Sequence, residues 1–407
     1  MHYIANIFFL ILFIYLAFGV VYLFVFSFAG LFRKRLSFQP APEKKSIAVI
    51  IPSYKEDNVI LDTARRAAQH NYPENKFEVY VVADNLKVET IIRLRAIPVN
   101  VIEVKFEKST KAKSLNAALN PRPNGVLAGR GIPQDQFEIA MILDADNVMK
   151  PDCLEWVNWW FQSGATAVQC HRTAKNQQTP VAVLDAISEE INNHLFRKGP
   201  AALGLSATLI GSGMAFRFQE LKQIFELPHI LTNPGEDREV DIQLMRNETK
   251  VEYAHEAIVY DEKVSSAAVF ERQRVRWLEA QVSHFRRFRQ AEVKSSKKTA
   301  DYWNKFIQTI LLPRSLYILT FSLFFFLIIV ELTFKIRFLY PFAGWWWLLM
   351  SLFVVSLLMA VPAPFYNKKT LNAILHLPVL IYKMVRALFR IKSNRTEFLH
   401  TPKTFTS

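Results

Sequence analysis

Cysteine is almost missing from this chain: Cys153 and Cys170 are the 2 in 407 residues. They lack the spacing of a metal-binding cluster and are too few for a disulfide framework, so a zinc module and a stapled secreted scaffold are both excluded. Both read as core residues of a protein kept in a reducing compartment. Glycine is scarce as well, at 12 residues against 33 phenylalanines. The long apolar run near the N-terminus, residues 4–32, has no basic segment before it and no small-residue cleavage pattern after it. A removed signal peptide is therefore not expected, and the run reads as a retained membrane anchor.

What is present divides into two kinds of chain. With 51% hydrophobic residues and 21% charged ones, the sequence is too apolar for an ordinary soluble protein and too charged for a pure membrane bundle. A soluble domain joined to membrane segments satisfies both facts. The net charge of +14 admits nucleic acid, anionic lipid or a phosphorylated substrate as partner. Membrane segments favour the last two, and no nucleic-acid partner is expected. The cluster Arg33-Lys34-Arg35 follows the first apolar run directly. The positive-inside rule then puts the N-terminus outside an inner cell membrane and the following domain in the cytoplasm.

From residue 47 the pattern changes to short apolar runs alternating with helical periodicity. Residues 47–52, 77–84, 99–104 and 138–143 read as strands, and 58–70 and 113–119 as helices. That alternation predicts an α/β fold, a Rossmann-like, mostly parallel sheet with flanking helices, whose ligands sit beyond the carboxyl ends of the strands. Further strands are expected at 165–169, 209–217 and 257–262, with helices at 153–161, 179–198 and 240–247. Apolar runs at 316–334 and 342–361 predict two more membrane spans, and residues 303–312 and 371–389 predict helices lying in the interface. Three crossings result, with a fourth if 371–389 spans, and the tail from Arg390 is expected in the cytoplasm because Arg390, Lys392 and Arg395 crowd there.

Strand exits carry the chemistry. Met141-Ile142-Leu143 ends in Asp144-Ala145-Asp146, and two acids flanking one residue at a strand's end can face the same cleft. Carboxylate oxygens suit a hard cation such as Mg2+ or Mn2+, and a metal held by one or two of them keeps positions free for phosphates. An Asp-rich turn is the plain alternative. Asp237, in Asn233-Pro234-Gly235-Glu236-Asp237, precedes a predicted helix and reads either as a helix cap or as a functional acid. On a helix, Gln273, Arg276 and Trp277 share a face. Two basic groups and an amide there can grip a diphosphate while the indole stacks on a sugar. Arg286, Arg287 and Arg289 read as a face lying on anionic lipid.

In order, Ile51-Pro52-Ser53-Tyr54-Lys55-Glu56, Ala83-Asp84-Asn85, Lys111-Ala112-Lys113-Ser114-Leu115-Asn116, Asp144-Ala145-Asp146, Gly235-Glu236-Asp237 and Gln273-Arg274-Val275-Arg276-Trp277 resemble the motifs of the membrane-embedded inverting glycosyltransferases of family 2, which include cellulose, chitin and hyaluronan synthases. The resemblance implies a GT-A type catalytic domain over residues 45–265, an anchor over 1–35, interfacial helices over 266–313, two spans over 314–362 and a helix with a tail over 363–407. It implies that Asp84 and Asp144 hold the base and ribose of a UDP- or GDP-sugar, with Glu56 near the base and Lys111 near the nucleotide. Asp146 would coordinate Mg2+ or Mn2+, Asp237 would act as general base within the pair Glu236-Asp237, Gln273 and Arg276 would touch the diphosphate, and Trp277 would support the acceptor sugar. Many relatives carry a threonine where Gly235 stands, so a hydroxyl is lost and the acids are kept. Residues 398–403 resemble the gating segment of the larger synthases.

Three functions remain open on this reading. A processive synthase would extend a β-linked exopolysaccharide. Transfer of one sugar to a lipid-linked or oligosaccharide acceptor uses the same chemistry, and three crossings are few for a polymer channel. A non-catalytic membrane scaffold of an export complex, with a second copy or export proteins as partners, belongs to another class, and the complete set of acids argues against it. A soluble-type nucleotidyltransferase has no use for Trp277.

Overall fold

The computed structural model describes residues 2–33, 36–37, 41–120, 126–128, 131–231, 233, 235–288, 290 and 299–391. Lys34, Arg35, Arg289, Lys392, Arg395 and the expected gating segment at 398–403 lie outside the described residues. Among the described residues nine strands form one sheet: β1 Ile47–Tyr54, β2 Phe77–Asp84, β3 Asn100–Val104, β4 Val126–Ala128, β5 Ile139–Ile142, β6 Val148–Met149, β7 Ala167–Ala174, β8 Met214–Arg217 and β9 Val251–Asp261. They run in the order β4-β3-β2-β1-β5-β8-β7-β9-β6. β3, β2, β1 and β5 are mutually parallel, whereas β8 is antiparallel to both β5 and β7. The chain thus leaves β1 first toward β2 and later returns on its other side as β5, which opens a crevice at the carboxyl ends of β1 and β5.

The apolar runs are strands because both sheet faces are covered. In β1, Ala48 and Ile50 enter one core with Tyr80, Val82, Leu115, Phe218 and Leu221, while Ile47, Val49 and Ile51 enter the other with Leu61, Ala64, Leu154 and Val157. Alternation sends successive residues to opposite faces, and with helices on both sides every position must be apolar. The helices are α1 His2–Leu31, α2 Ile60–Ala67, α3 Val88–Arg95, α4 Lys111–Leu119, α5 Cys153–Gln162, α6 Pro180–Asn193 with a π-helical turn His194–Lys198, α7 Gly199–Ala202, α8 Phe218–Phe225, α9 Pro228–Leu231, α10 Glu236–Arg246, α11 Ala267–Phe288, α12 Ala300–Ile310, α13 Arg314–Phe334, α14 Ala343–Ala360, α15 Lys368–Ile374 and α16 Leu377–Leu388.

Three of these, α1, α13 and α14, are long and apolar enough to cross a membrane, and α15 with α16, bent by 47°, passes the same test only as a pair. α1 packs against α13 and α14 through Leu16, Val20 and Leu23, and Phe324 stacks on Trp346 with ring centroids 3.7 Å apart. Gly19 is required there: a Cβ would lie 1.8 Å from the Tyr317 hydroxyl oxygen.

Several expectations are corrected. Residues 209–213 are not strand; Gly211 at φ +84 and Gly213 at φ +63 turn the chain into a loop before β8. β7 runs on to Ala174 and β9 begins at Val251, because polar residues such as Arg172 find partners inside the fold. Arg287 does not face lipid: its Nε donates to Glu239 Oε2 of α10 at 3.0 Å. In the C-terminal helix Lys383 and Arg386, with Arg390 just after it, converge on buried Glu271 of α11 at 3.1, 3.1 and 2.7 Å. α12 is tied to the domain by Lys305, whose Nζ lies 2.6 Å from Asp241 Oδ1 of α10 with both side chains at most 2% exposed.

That last pair gives a stability prediction. Lys305→Met strands a buried carboxylate beneath the helix that starts with Glu236 and should cost about 3–5 kcal/mol. Lys305→Met with Asp241→Leu should recover most of the loss in a denaturation series on detergent-purified protein, and equal stability of the Lys305→Met single variant and wild type would refute the pairing.

Candidate active site

The crevice at the β1 and β5 ends widens into a cavity of about 1510 Å³. Glu56, Lys111, Asp144, Asp146, Glu236, Asp237, Gln273, Arg276 and Trp277 all line it, although the sequence scatters them over residues 56–277. Each arrives from the end of an element: Glu56 just after β1, Lys111 at the first position of α4, Asp144 and Asp146 after β5, Glu236 and Asp237 in the first turn of α10, and the last three on α11. Asp84 is the exception. It shares the β2 face of Tyr80 and Val82 and is fully buried, with Oδ1 accepting from Asn85 Nδ2 at 3.0 Å and Ser109 of the cavity wall hydrogen-bonding the same carboxylate. Burial raises its carboxyl above the usual range.

Lys111 is the hinge of the arrangement. Its ammonium donates to Asp144 Oδ1 and to the Gly211 carbonyl, both at 2.5 Å, and stands 3.6 Å from Glu236 Oε1. Burial opposes its charge, yet Asp144 and Glu236 outweigh burial and raise its pKa. Gly211 lies so close that a Cβ there would touch Asp237 Oδ2 at 3.6 Å and Lys111 Nζ at 3.8 Å. Asp237 is not the helix cap: Gly235 occupies that position, its N–H donating to Asn233 Oδ1 at 2.9 Å, and Asp237 is the second helical residue. Burial, with Asp237 beside it, pushes the Glu236 carboxyl up to about 7 against the pull of Lys111.

On the far side of Asp144, its N–H donates to Ser212 Oγ at 2.9 Å, and Ser212 donates to Asn147 Oδ1 at 2.6 Å. Asn147 Nδ2 in turn donates to Asp146 Oδ1 at 3.1 Å and to Asp261 Oδ1 at 2.9 Å. Asp261 and Glu189 share Lys263 at 2.7 and 3.0 Å, and Glu189 also accepts from Arg172 Nε at 2.9 Å. A buried ionic lattice therefore fixes the turn that carries Asp146.

Gln273 and Trp277 differ in what holds them. Gln273 Oε1 is buried with no hydrogen-bond partner among the described residues. Trp277 is 39% exposed, with the Arg274 guanidinium 4.0 Å from its ring centroid. Arg274 is committed to Asp185 of α6 at 2.5 Å, so it braces the indole and does not reach for a diphosphate. Burial lowers the Arg276 pKa, countered by Glu236, Asp144 and Asp237. Sequence reading counted Arg274 among the groups for a diphosphate, and it missed Asp185, Glu189 and the role of Asn147. A signal existed on α6, where Asp185 and Glu189 stand four apart on a largely apolar helix.

Among the described residues no group of three or more His, Cys, Asp or Glu side chains could by itself hold a metal ion. Asp144 and Asp146 offer hard oxygens from two neighbouring positions, which fits Mg2+ or Mn2+ shared with a ligand's phosphates and not a closed all-protein cage.

With this geometry in place, the comparisons define the class. The chain belongs to the glycosyltransferase-like family 2, whose model matches residues 42–280. It is 23% identical over 261 residues to the beta-monoglucosyldiacylglycerol synthases of Trichormus variabilis and of a Nostoc species, a match covering 63% of this chain and 53% of each relative. The chain therefore spans about half the length of the curated relatives it matches. Its fold is similar to that of the Pyrobaculum calidifontis mannosyltransferase PcManGT in complex with GDP-Man and Mn2+, with a TM-score of 0.50 and 16% identity over 92% of this chain and 98% of the other.

The raised Glu236 carboxyl gives a signed pH dependence. The folded state holds a proton there up to about 7, whereas an unfolded glutamate releases it near the ordinary 4.5. Stability from this group is complete below the unfolded value and is lost as pH rises through about 7. Glu236→Gln should thus gain stability relative to wild type as pH is raised through that window, and a flat difference in paired unfolding curves would rule the shift out.

Proposed function

We propose that the chain is a membrane-held, metal-dependent inverting hexosyltransferase that moves one sugar from a UDP- or GDP-sugar to a hydroxyl of a lipid-linked acceptor. The observation that supports it is the cavity itself, which continues from Asp144, Asp146 and Asp237 to apolar side chains of α6, α13, α14 and α16, so a lipid-borne hydroxyl can approach the donor from hydrocarbon. The curated relatives, which carry a glycosylated diacylglycerol in their name, agree with that acceptor class.

In this reading Asp144 and the deeper Asp84 hold the nucleoside, with Glu56 near the base. Asp146, with Asp144 beside it, would hold the divalent ion, which when bound neutralises charge on the diphosphate. The acceptor oxygen forms its bond to the anomeric carbon as the bond from that carbon to the diphosphate oxygen breaks, and the electron pair leaves with the nucleotide diphosphate. The proton passes to Asp237, which lines the cavity against Gly211. Glu236, neutral on the acid side of about 7, keeps a second full negative charge from forming beside the base. Arg276 and Lys111 offset the charge that develops on the leaving group. Gln273 supplies an unused acceptor for a sugar hydroxyl, and the face of Trp277 away from Arg274 supports the acceptor sugar. A single displacement turns an α-linked donor into a β linkage.

A processive synthase of the cellulose, chitin or hyaluronan type is the second reading, favoured by Gln273, Arg276 and Trp277 together on the cavity wall. In either case we place the catalytic domain and the C-terminus in the cytoplasm and the N-terminus outside, with residues 45–265 as the catalytic domain.

A panel of nucleotide sugars, tested with Mg2+ or Mn2+ for release of free nucleotide diphosphate and followed by sizing and organic extraction of the product, separates the readings. A single-sugar product in the organic phase supports the first. Asp237→Asn should bind donor normally and lose turnover about 10²- to 10⁴-fold, and retained turnover would move the base elsewhere. Asp146→Asn should weaken donor binding only when the divalent ion is present, measured by titration with and without a chelator.

A further inference from the structure

Arg314, in the cavity wall, has no acidic partner within ion-pair distance among the described residues. Arg314 opens α13 and donates from Nη2 to the carbonyl of Ser188 at 2.9 Å and to its hydroxyl at 2.8 Å. Its Nη1 is buried and has no hydrogen-bond partner among the described residues. Of the other cations, Arg274 is paired with Asp185, Arg172 with Glu189, Lys263 with Glu189 and Asp261, and Lys111 with Asp144, while Arg197 donates to two neutral acceptors, the Thr208 carbonyl and Asn193 Oδ1. A guanidinium withdrawn from water with an idle N–H pair favours an anionic acceptor over any neutral one. Its setting strengthens that bias. Arg314 stands at the positive end of a 21-residue helix whose N-cap, Pro313, provides no side-chain cap.

Position decides what the anion belongs to. Arg314 is pinned to Ser188, and three residues earlier on the same α6 face Asp185 holds Arg274 against Trp277. Away from that sugar platform the cavity wall is apolar, with Ile187, Ile191, Ile318, Leu357, Leu377 and Ile381 drawn from four helices. We propose that Arg314 recognises a phosphate in the acceptor, so that the acceptor is a phosphate-linked glycolipid: sugar at Trp277, phosphate at Arg314 Nη1, hydrocarbon along the apolar wall. The proposal rests on the lipid-acceptor reading above and narrows it to one headgroup chemistry.

The test uses the full chain in phosphatidylcholine nanodiscs with the donor found in the nucleotide-sugar panel. Two synthetic acceptors share the same terminal sugar and hydrocarbon chain, one joined through a phosphate and one through an ether. The phosphate-linked acceptor should show kcat/KM at least about tenfold higher, through KM, as expected for a hydrogen bond to a charged group. Arg314→Gln should bring the two acceptors to within about twofold of each other, and Arg314→Lys should keep most of the preference. The wild-type ratio decides the matter alone if Arg314→Gln does not fold. Equal use of both acceptors by wild type overturns the phosphate assignment and leaves the lipid reading standing. Ether-acceptor transfer that rises to the phosphate-linked level in phosphatidylglycerol nanodiscs assigns Arg314 to bulk headgroups and also overturns it. Sugar transfer to a soluble oligosaccharide with no product from either lipid removes both proposals.

Discussion

Crowding of negative charge is the constraint around which this site is built. Asp144, Asp146, Glu236 and Asp237 line one partly buried cavity, and two like charges about 4 Å apart repel by about 4 kcal/mol at an effective dielectric near 20. Lys111 is the answer to that repulsion. By bonding Asp144 and the Gly211 carbonyl while standing beside Glu236, it joins the β5 exit, the loop before β8 and the start of α10 at one nitrogen. The second answer is protonation, since Glu236 stays neutral up to about 7. Asp146, further from Lys111 in the hydrogen-bond chain, is instead held by Asn147.

The membrane helices and the site are joined by the same kind of interaction. Asp185 and Glu189 lie on α6, which packs toward α1 through Ile191 and also reaches Arg274, Arg172 and Lys263. Glu271, on the helix that carries Trp277, collects Lys383, Arg386 and Arg390 from the C-terminal helix. Charged groups near apolar spans are costly unless paired, so these pairs fix α6, α11 and α16 relative to one another. The apolar side of the cavity, lined from α6 and α16, inherits its shape from them.

The parts legible in the sequence were those with a local signature. Apolar runs gave β1, β2, β3 and β5 nearly to the residue, and in β1 and β5, covered on both faces, the run is continuous because almost no position is left for a polar side chain. The acids at strand exits were legible for the same reason, as topology alone brings such ends together. What stayed hidden was the partner of each charge. Arg274 meets Asp185 across 89 residues and Lys263 meets Glu189 across 74; no periodicity reports such pairs. Arg287 therefore read as lipid-facing when its partner is Glu239, and the pairing of Lys383 and Arg386 with Glu271 left no mark in the sequence. The depth of Asp84, fully buried on the β2 face of Tyr80 and Val82, left no mark in the sequence. β4 and β6, at three and two residues, are too short to leave a pattern at all.

One consequence joins the two halves of the cavity. Arg274 holds Trp277 from one side while Asp185 holds Arg274 from α6, and three residues on, Ser188 holds Arg314. The Trp277 ring and the Arg314 guanidinium are thus set by one helix face, at a separation fixed by helical geometry and not by a loop. A ligand that filled both positions would have to carry its sugar and its anion at a matching, short distance, with apolar matter beyond. Specificity of that form comes from a rigid spacing between two groups, which is why α6, far in sequence from every motif of the family, would decide the acceptor as much as the residues that face the donor.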